Sequence, residues 1–440
     1  MSLLQRFADE ARALATRGKK AIVAVSGGTD SVALLDLLVR TRELHQVELV
    51  VAHLDHGIHP ESARVAQQVQ NLADAYGIPC DVGTLELGSS AGETEARDQR
   101  YAWLEAARLR HGAEMVLTAH HADDQVETVL MRVLAGSGPA GLAGMASHRG
   151  RVVRPLLGVR RSELVEYLKD EGLSAWSDPA NADPRHLRSW VRTEILPRLR
   201  RRLPEVDRYL LRLAEQASTN RKAWDLVLEV LPGIELHHEG RAISVAAPLL
   251  AGYDSHLTEA IILALARRIG CRIGPARVGR VQELLASQSS GTQVPLGSGF
   301  FAELSFGRLR LAARDPDVET QPWVLEGKRG EHTWGRWRFS WQSLSAPSKQ
   351  ERTGLHAWFS PEPLEVRNWR PGERVKPLGG SGRRLLVRCF QDARVPKSLR
   401  DSWPVLVQGD SVVWIPGVCR SDTHIPIGGT EALRVDAEYA

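Results

Sequence analysis

Near its N-terminus the chain reads Ala21-Ile22-Val23-Ala24-Val25-Ser26-Gly27-Gly28-Thr29-Asp30-Ser31-Val32-Ala33-Leu34-Leu35-Asp36-Leu37-Leu38. An apolar run, a turn with two adjacent glycines and an amphipathic segment follow one another, which predicts strand, loop and helix. Such a loop holds an anion on backbone N–H groups at the helix N-terminus. Its glycines let backbone approach the anion closely, and Ser26 and Ser31 can add hydroxyl donors. Asp30 would repel a phosphate unless a cation lay between them. The loop therefore reads as the seat of a metal-bridged nucleotide. It lacks the Lys-Ser/Thr of a Walker A motif, and its glycine spacing is not the dinucleotide fingerprint. A bare glycine pair would equally suit a strand–helix turn without chemistry; the full six-residue string after a strand favours the nucleotide.

Working outward, roughly the first 150 residues alternate in type. Ala21–Val25, Val47–His53 and Met115–Thr118 predict strands, with helical patterns at Glu61–Tyr76 and Glu93–Arg110 between them. That alternation implies βαβ units and a parallel sheet. Ligands of such sheets bind at the carboxyl ends of strands, so Gly27, His53 and His120 should converge on one rim. Ser162–Glu171 predicts a helix ended by Gly172, and residues 219–287 are again helical in pattern. Residues 291–312 predict hairpin strands, and Asp315-Pro316-Asp317 through Pro322 a linker. The last part is rich in Trp, Gly and Pro, with strand-like runs at Trp334–Trp341, Val405–Val407 and Val412–Pro416. The expected architecture is α/β: a doubly wound parallel sheet over 1–215, a mainly helical middle domain over 216–320, and a small α+β domain over 321–440.

The chain has 440 residues, 43% of them hydrophobic and 25% charged, as is ordinary for a soluble globular protein. No apolar run approaches the ~18 residues of a membrane span, and residues 1–20 lack a signal-peptide core. Cys80, Cys271, Cys389 and Cys419 lie far apart, which disfavours zinc, iron–sulfur and disulfide frameworks. A cytoplasmic location is expected. The sequence leaves oligomeric state open, a homodimer included. Net charge is only +4, but it is unevenly spread. Residues 185–222 hold eleven Lys/Arg against four Asp/Glu, and residues 366–400 hold ten against two. Two basic blocks far apart suit a long polyanion; solvated arginine-rich faces are the alternative.

Further motifs follow the second and later strands. Val51-Ala52-His53-Leu54-Asp55-His56-Gly57 could present backbone to an adenine edge and histidines to nucleotide or substrate. His120-His121-Ala122-Asp123-Asp124-Gln125-Val126-Glu127-Thr128 opens a helix near Asp123, which puts Asp124 and Glu127 on one face. Two such carboxylates suit Mg²⁺ or a substrate ammonium; acids that cap a helix N-terminus are the alternative. No His/Cys set completes a zinc site there. Arg97 and Arg100 share a face of the 93–110 helix, and Arg188 and Arg192 are four apart on another. Guanidinium pairs suit phosphate or a nucleobase carbonyl, and surface salt bridges fit them as well. Asp178-Pro179-Ala180-Asn181 precedes the first basic block. Arg370, Arg374, Arg383 and Arg384, with Trp369 and glycines between, could form an RNA-binding surface. The six Trp from Trp323 to Trp369 suit small cores better than base stacking.

Ser26-Gly27-Gly28-Thr29-Asp30-Ser31 resembles the pyrophosphate-binding loop of the ATP pyrophosphatases, which adenylate a carbonyl oxygen. The motifs together, including Arg-Pro-Gly-Glu-Arg at 370–374 and the block to Arg400, resemble the tRNA(Ile)-lysidine synthetases. The chain departs from that pattern at Ser189, where the family has Asn, and at Leu386-Val387-Arg388-Cys389, where it favours Lys-Asp. The resemblance implies an adenine-nucleotide-hydrolase-like fold, ATP and Mg²⁺, free L-lysine, and tRNA(Ile) with a CAU anticodon. It implies that Ser26, Gly27, Gly28, Thr29 and Ser31 cradle phosphates, with His53 beside the nucleotide and Asp30 holding Mg²⁺. Asp124 and Glu127 would bind the lysine ammonium or help bind metal. Arg97 and Arg192 would act in catalysis; Arg100, Arg188, Arg370, Arg374, Arg383 and Arg384 would contact tRNA. Rival readings are a cytidine 2-thiolase, which lacks its paired cysteines here, a small-molecule ligase, which needs no basic C-terminal block, and an RNA-binding protein with a relic nucleotide site.

Overall fold

Strand β1 (Lys20–Ala24) lies between β2 (Glu48–Asp55) and β4 (Met115–Leu117), parallel to both. It is apolar throughout its centre because both faces of the sheet are covered. Ala21 and Val23 face one cluster with helices α1 (Leu3–Ala15), α2 (Thr29–Arg40), α4 (Ser62–Ala75) and α7 (Arg161–Asp170). Ile22 faces the other, with Leu104 and Trp103 of α5 (Glu93–Arg110). The short helix α3 (Arg42–His45) follows α2.

The full order is β3-β2-β1-β4-β6-β5, with β3 at Cys80–Thr84, β6 at Val152–Val153 and an antiparallel edge β5 at His148–Arg149. The chain winds from β1 to β2 and β3 on one side, then crosses to β4 on the other. The boundary between β1 and β4 is therefore the switch point at which such sheets bind ligands. The doubly wound sheet expected from the sequence is thus observed. One detail differs: His53 lies within β2, two residues before its end, because pairing with β3 continues to Asp55↔Thr84.

The computed structural model describes residues 2–55, 62–85, 93–176, 187–232, 234–314 and 321–439. His56, Gly57, Asp178–Asn181 and residues 315–320 of the linker expected at 315–322 lie outside them. The chain divides into two units, Met1–Ala223 and Trp224–Ala440. Helix α6 (Ala122–Leu134) packs Val126, Val129 and Leu130 against Val191, Leu196, Val206, Leu210 and Ala214. These come from a π-helical turn (Val191–Ile195) that continues α8 (Leu187–Trp190), from α9 (Leu196–Arg202) and from α10 (Val206–Val230). Helix α10 runs unbroken through the expected boundary at 215/216.

In the second unit the expected helices are present at Ala247–Ala251, Ser255–Arg268 and Pro275–Ser287. Beside them stands a five-stranded antiparallel sheet, to which Thr292–Gly297, Phe300–Ser305 and Arg308–Ala313 contribute. The sequence reading anticipated these three strands but not His237–Glu239 and Ala242–Ala246, which are too short to establish a period. The C-terminal part packs a five-stranded sheet on a four-stranded one. The run Trp334–Trp341 is not one strand but a hairpin. Gly335, at φ +60°, turns the chain so that Trp334 pairs with Trp337. Trp334, Trp337, Trp341 and Trp414 are buried in this core, as core-filling residues should be. Arg420 is buried with them and donates to the carbonyls of Trp358, Val413, Ser421, Thr423 and His424.

Candidate active site

The loop after β1 is shaped by its own serines. Ser31 Oγ donates to Gly28 O at 2.9 Å and accepts from Ser26 N at 3.1 Å, which closes the turn on itself. Gly27 has φ +85°, and a Cβ there would lie 2.6 Å from Val65 Cγ1, so both backbone and space require glycine. Trp176 N donates to Gly27 O at 2.9 Å. The N-cap of α2 is Gly28, which has no side chain to cap the helix, and this leaves first-turn amides for an external anion. Behind the loop His53 is buried, its Nδ1 2.8 Å from Val25 O. Burial holds its pKa below the ordinary value despite the Val25 carbonyl and Asp55. Its ring therefore braces the end of β1.

Across the switch point, His120 and His121 follow β4. His121 is buried and caps α6: its Nδ1 lies 3.4 Å from Asp124 N, while its own N–H donates to Asp124 Oδ2 at 3.1 Å. Its Nε2 stands 3.5 Å from Asp30 Oδ2 and 3.6 Å from Asp124 Oδ2, which ties the loop to α6. Burial opposes its protonation, but Asp30, Asp124 and Asp123 outweigh burial and raise its pKa. Asp30 Oδ1 is buried and accepts no hydrogen bond among the described residues; Arg161 Nε lies 3.6 Å from it.

Asp124 and Glu127 share a face of α6, as their spacing predicts, and both meet Arg188 and Arg192. Arg188 Nη2 donates to Asp124 Oδ1 at 2.9 Å and its Nε to Glu127 Oε2 at 2.8 Å. Arg192 Nε and Nη2 donate to Glu127 at 2.5 and 2.9 Å, and its Nη2 lies 3.5 Å from Asp124 Oδ1. Burial would raise the Asp124 pKa, but His121, Arg188 and His120 bring it below the usual range. Arg192 is raised by its bond to Glu127, against burial, with Asp124 and Asp30 adding. The π-helical turn that carries Arg192 is a local irregularity common at functional sites.

The arrangement joins Asp30, His121, Asp124, Glu127, Arg188 and Arg192 in one cluster beside the Ser26–Ser31 loop. Sequence reasoning had placed the acids and the arginines in separate roles; the structure pairs them. It also adds two residues that the sequence reading gave no role: His121, which bridges loop and helix, and Arg161 beside Asp30. The adjacent His120-His121 marked the spot, whereas nothing in the sequence distinguishes Arg161 from its neighbours. Arg97 and Arg100 both lie over the Tyr101 ring, at 5.3 and 5.6 Å. Arg100 is half-buried, and its charge reaches His120. Arg370, Arg374, Arg383 and Arg384 lie in the second unit and are all exposed. Arg374 and Arg384 sit on a two-stranded ribbon, and Arg384 Nη2 meets Asp392 Oδ2 at 2.5 Å. Among the described residues, no group of three or more His, Cys, Asp or Glu is arranged to hold a metal ion, and no helix is long and apolar enough to cross a membrane.

A parallel sheet with this loop at its switch point defines an ATP-using PP-loop protein, and residues 3–199 match the PP-loop domain model. Residues 364–436 match the TilS substrate C-terminal domain. Over most of its length the chain resembles tRNA(Ile)-lysidine synthases. It is 32% identical to that of Geobacter sulfurreducens, over 95% of this chain and 93% of the relative. It is 34% identical to that of Symbiobacterium thermophilum, over 95% of this chain and 94% of the relative. The chain belongs to the tRNA(Ile)-lysidine synthase family.

Proposed function

We propose that this protein ligates lysine to carbon 2 of the wobble cytidine in the CAU anticodon of tRNA(Ile), forming lysidine from ATP. The observation that carries the reading is the meeting of the Ser26–Ser31 loop with the Asp30–His121–Asp124–Glu127 cluster on one rim, in a chain of this family. The cytidine O2 attacks the α-phosphorus of ATP and pyrophosphate leaves. The lysine Nε, after giving a proton to Asp124 or Glu127, then attacks carbon 2, and the bond from carbon 2 to O2 breaks as AMP departs with that oxygen.

The chain's residues suit both steps. First-turn amides of α2, with the hydroxyls of Ser26, Thr29 and Ser31, receive the departing phosphates. Asp30 fits a divalent cation, because its Oδ1 is buried without a hydrogen-bond donor among the described residues. Mg²⁺ bound there, completed by phosphate and water oxygens, would offset the charge of the phosphates. Asp124 and Glu127 receive the lysine ammonium, which competes with the guanidiniums of Arg188 and Arg192 for the same oxygens. Freed from the carboxylates, those guanidiniums can turn to AMP or RNA phosphate. Arg97 and Arg100, with Tyr101, line the approach of the base. Arg370, Arg374, Arg383 and Arg384 grip the tRNA body. The three-part division at 215/216 and 320/321 belongs to this reading, with parts two and three binding tRNA. It is supported by separate apolar clusters at 228–311 and 325–437.

The test mixes protein, α-labelled ATP, labelled lysine and Mg²⁺ with tRNA(Ile) bearing CAU, with elongator methionine tRNA as control. Lysine should enter only the isoleucine tRNA, with matching AMP release. The Asp30→Ala variant should lose at least about a hundredfold in rate while still binding tRNA. Full activity in that variant removes Asp30 from the site; AMP release without lysine incorporation points to another nucleophile.

A further inference from the structure

Much of the first basic block is neutralised within the fold. Arg188 and Arg192 face Asp124 and Glu127, Arg200 faces Asp123 and Asp207, and Arg198 and Arg208 face neighbouring glutamates. Arg221 on α10 has no carboxylate partner among the described residues, and outside this block the same is true of Arg132 near the end of α6 and Arg149 at the end of β5.

Arg132 holds a glycine-rich loop in place, and Arg149 follows four residues after its last anchor, Met145. Arg132 Nη1 donates to Gly141 O at 2.6 Å and Gly144 O at 2.8 Å. The Gln125 amide grips Met145 twice, through Met145 N at 2.6 Å and Met145 O at 2.9 Å. Gly144 (φ +62°) leaves room for that amide, since a Cβ would lie 2.5 Å from Gln125 Oε1. The tip between these anchors, Gly136-Ser137-Gly138-Pro139, is largely exposed, and nothing lies within 4 Å of a Cβ at Gly136 or Gly138. An extended polyanion can therefore approach its backbone closely. Arg160 and Arg200 each bridge Asp123 at the start of α6 and Asp207 at the start of α10, so the packed helices begin together and α10 carries Arg221 towards the α6 C-terminus. Arg149 is exposed beside the Gly150 turn.

We propose that Arg149, Arg221 and the backbone N–H groups of Gly138 and Ala140, the two in this loop that donate to no acceptor among the described residues, form a phosphate-contact surface for the RNA strand that leads to the modified base. Arg132 positions the loop rather than binding RNA. The mutual nearness of the three charges is felt at Arg132, where burial, then Arg221 and Arg149, lower the pKa. Excess positive charge of this kind is relieved by an anion. Helix α6 sets the distance: Arg132 is eight residues beyond Asp124, about 12 Å along the axis. That places the surface within a few nucleotides of the base at the cluster. The inference rests on the reading that the substrate is tRNA.

The test measures binding of the full-length protein to tRNA(Ile) bearing CAU between about 50 and 200 mM KCl. The double variant Arg149→Ala/Arg221→Ala should flatten the slope of log K against log [salt] by about 1.4 to 1.8, as expected for two lost phosphate contacts. Affinity should fall at least about fivefold at the upper salt. Arg17→Ala, at the opposite end of the sheet beside the start of β1, should keep the wild-type slope. An unchanged slope in a double variant that melts like the wild type overturns the surface. If the double variant is unstable, Arg149→Gln alone should still flatten the slope by about 0.7 to 0.9, and no change overturns the proposal. Lysidine formation by the wild type is scored separately. Its failure counts against the substrate chemistry, while the slope still decides whether RNA phosphate meets this surface.

Discussion

His120 and His121 are neighbours in sequence with opposite charge preferences. Burial pushes His120 down to about 3; Asp124 favours its protonation, but Arg154, Arg100 and Arg188 add to the effect of burial. Its Nδ1 lies 2.9 Å from Thr118 Oγ1, a contact suited to a neutral ring. One residue on, three carboxylates reverse the balance at His121. The sign of the His120 contribution follows from linkage. An unfolded histidine titrates near 6.5, so between that pH and about 3 the unfolded chain binds the extra proton. Stability is intact above the unfolded pKa and falls as pH drops below it, by on the order of 2 kcal/mol at pH 5. His120→Asn, which keeps a polar group near Thr118, should therefore lose less stability than the wild type between pH 7 and pH 5. Urea denaturation at both pH values measures this, and equal losses in the two proteins would show that His120 does not titrate in this way.

At the scale of elements, α6 and the segment from α8 to α10 form the site by exchanging charge across a sequence gap of more than sixty residues. Glu127 is buried and takes hydrogen bonds from two guanidiniums. Removing one member of a buried pair leaves the others uncompensated, which costs roughly 3–5 kcal/mol. Glu127→Ala should destabilise by about that much, whereas Arg198→Ala, which breaks an exposed pair with Glu194, should cost under about 1 kcal/mol. Denaturation curves of the two variants compare them directly; similar shifts would mean that the cluster is solvated and carries no buried charge. The elements also show what a sequence can reveal. Apolar β1, the glycine loop and the three-residue spacing of Asp124 and Glu127 are local patterns, and each was legible. So was the four-residue spacing of Arg188 and Arg192. Their union was not, because periodicity assigns a residue to a face but does not say which face it meets. The π turn at Val191–Ile195 has no period of its own, and the hairpin at Gly335 was hidden in a run of Trp that reads as one strand.

The whole molecule poses the same problem again in its second unit, where a helix-bearing sheet and the basic C-terminal part must hold together. Glu303 is fully buried on the strand Phe300–Ser305. Its carboxylate accepts Lys397 N at 2.9 Å, Ser398 N at 3.4 Å and Ser305 Oγ at 3.1 Å. Arg310 reinforces the joint from the same sheet, with Nη1 3.2 Å from Ser398 Oγ. Arg400 is buried nearby; burial lowers its pKa, and Glu303 and Asp401 partly restore it. One carboxylate thus fixes the end of the basic block against the middle sheet, although in sequence Glu303 is one more polar residue in an apolar strand. Glu303→Ala should leave the Lys397 and Ser398 amides without an acceptor and remove one of the two charges that compensate Arg400, costing about 1–3 kcal/mol for each unsatisfied amide. Glu303→Gln, which keeps an acceptor, should cost less. The effect on RNA separates this joint from a contact surface. Below its melting temperature Glu303→Ala should bind tRNA more weakly yet keep the wild-type salt slope, since no phosphate contact is lost. Replacing Arg383 and Arg384, both exposed, should flatten that slope by about 1.4 to 1.8. If Glu303→Ala flattened it equally, the carboxylate would be ordering the phosphate-binding arginines themselves rather than joining two packed layers.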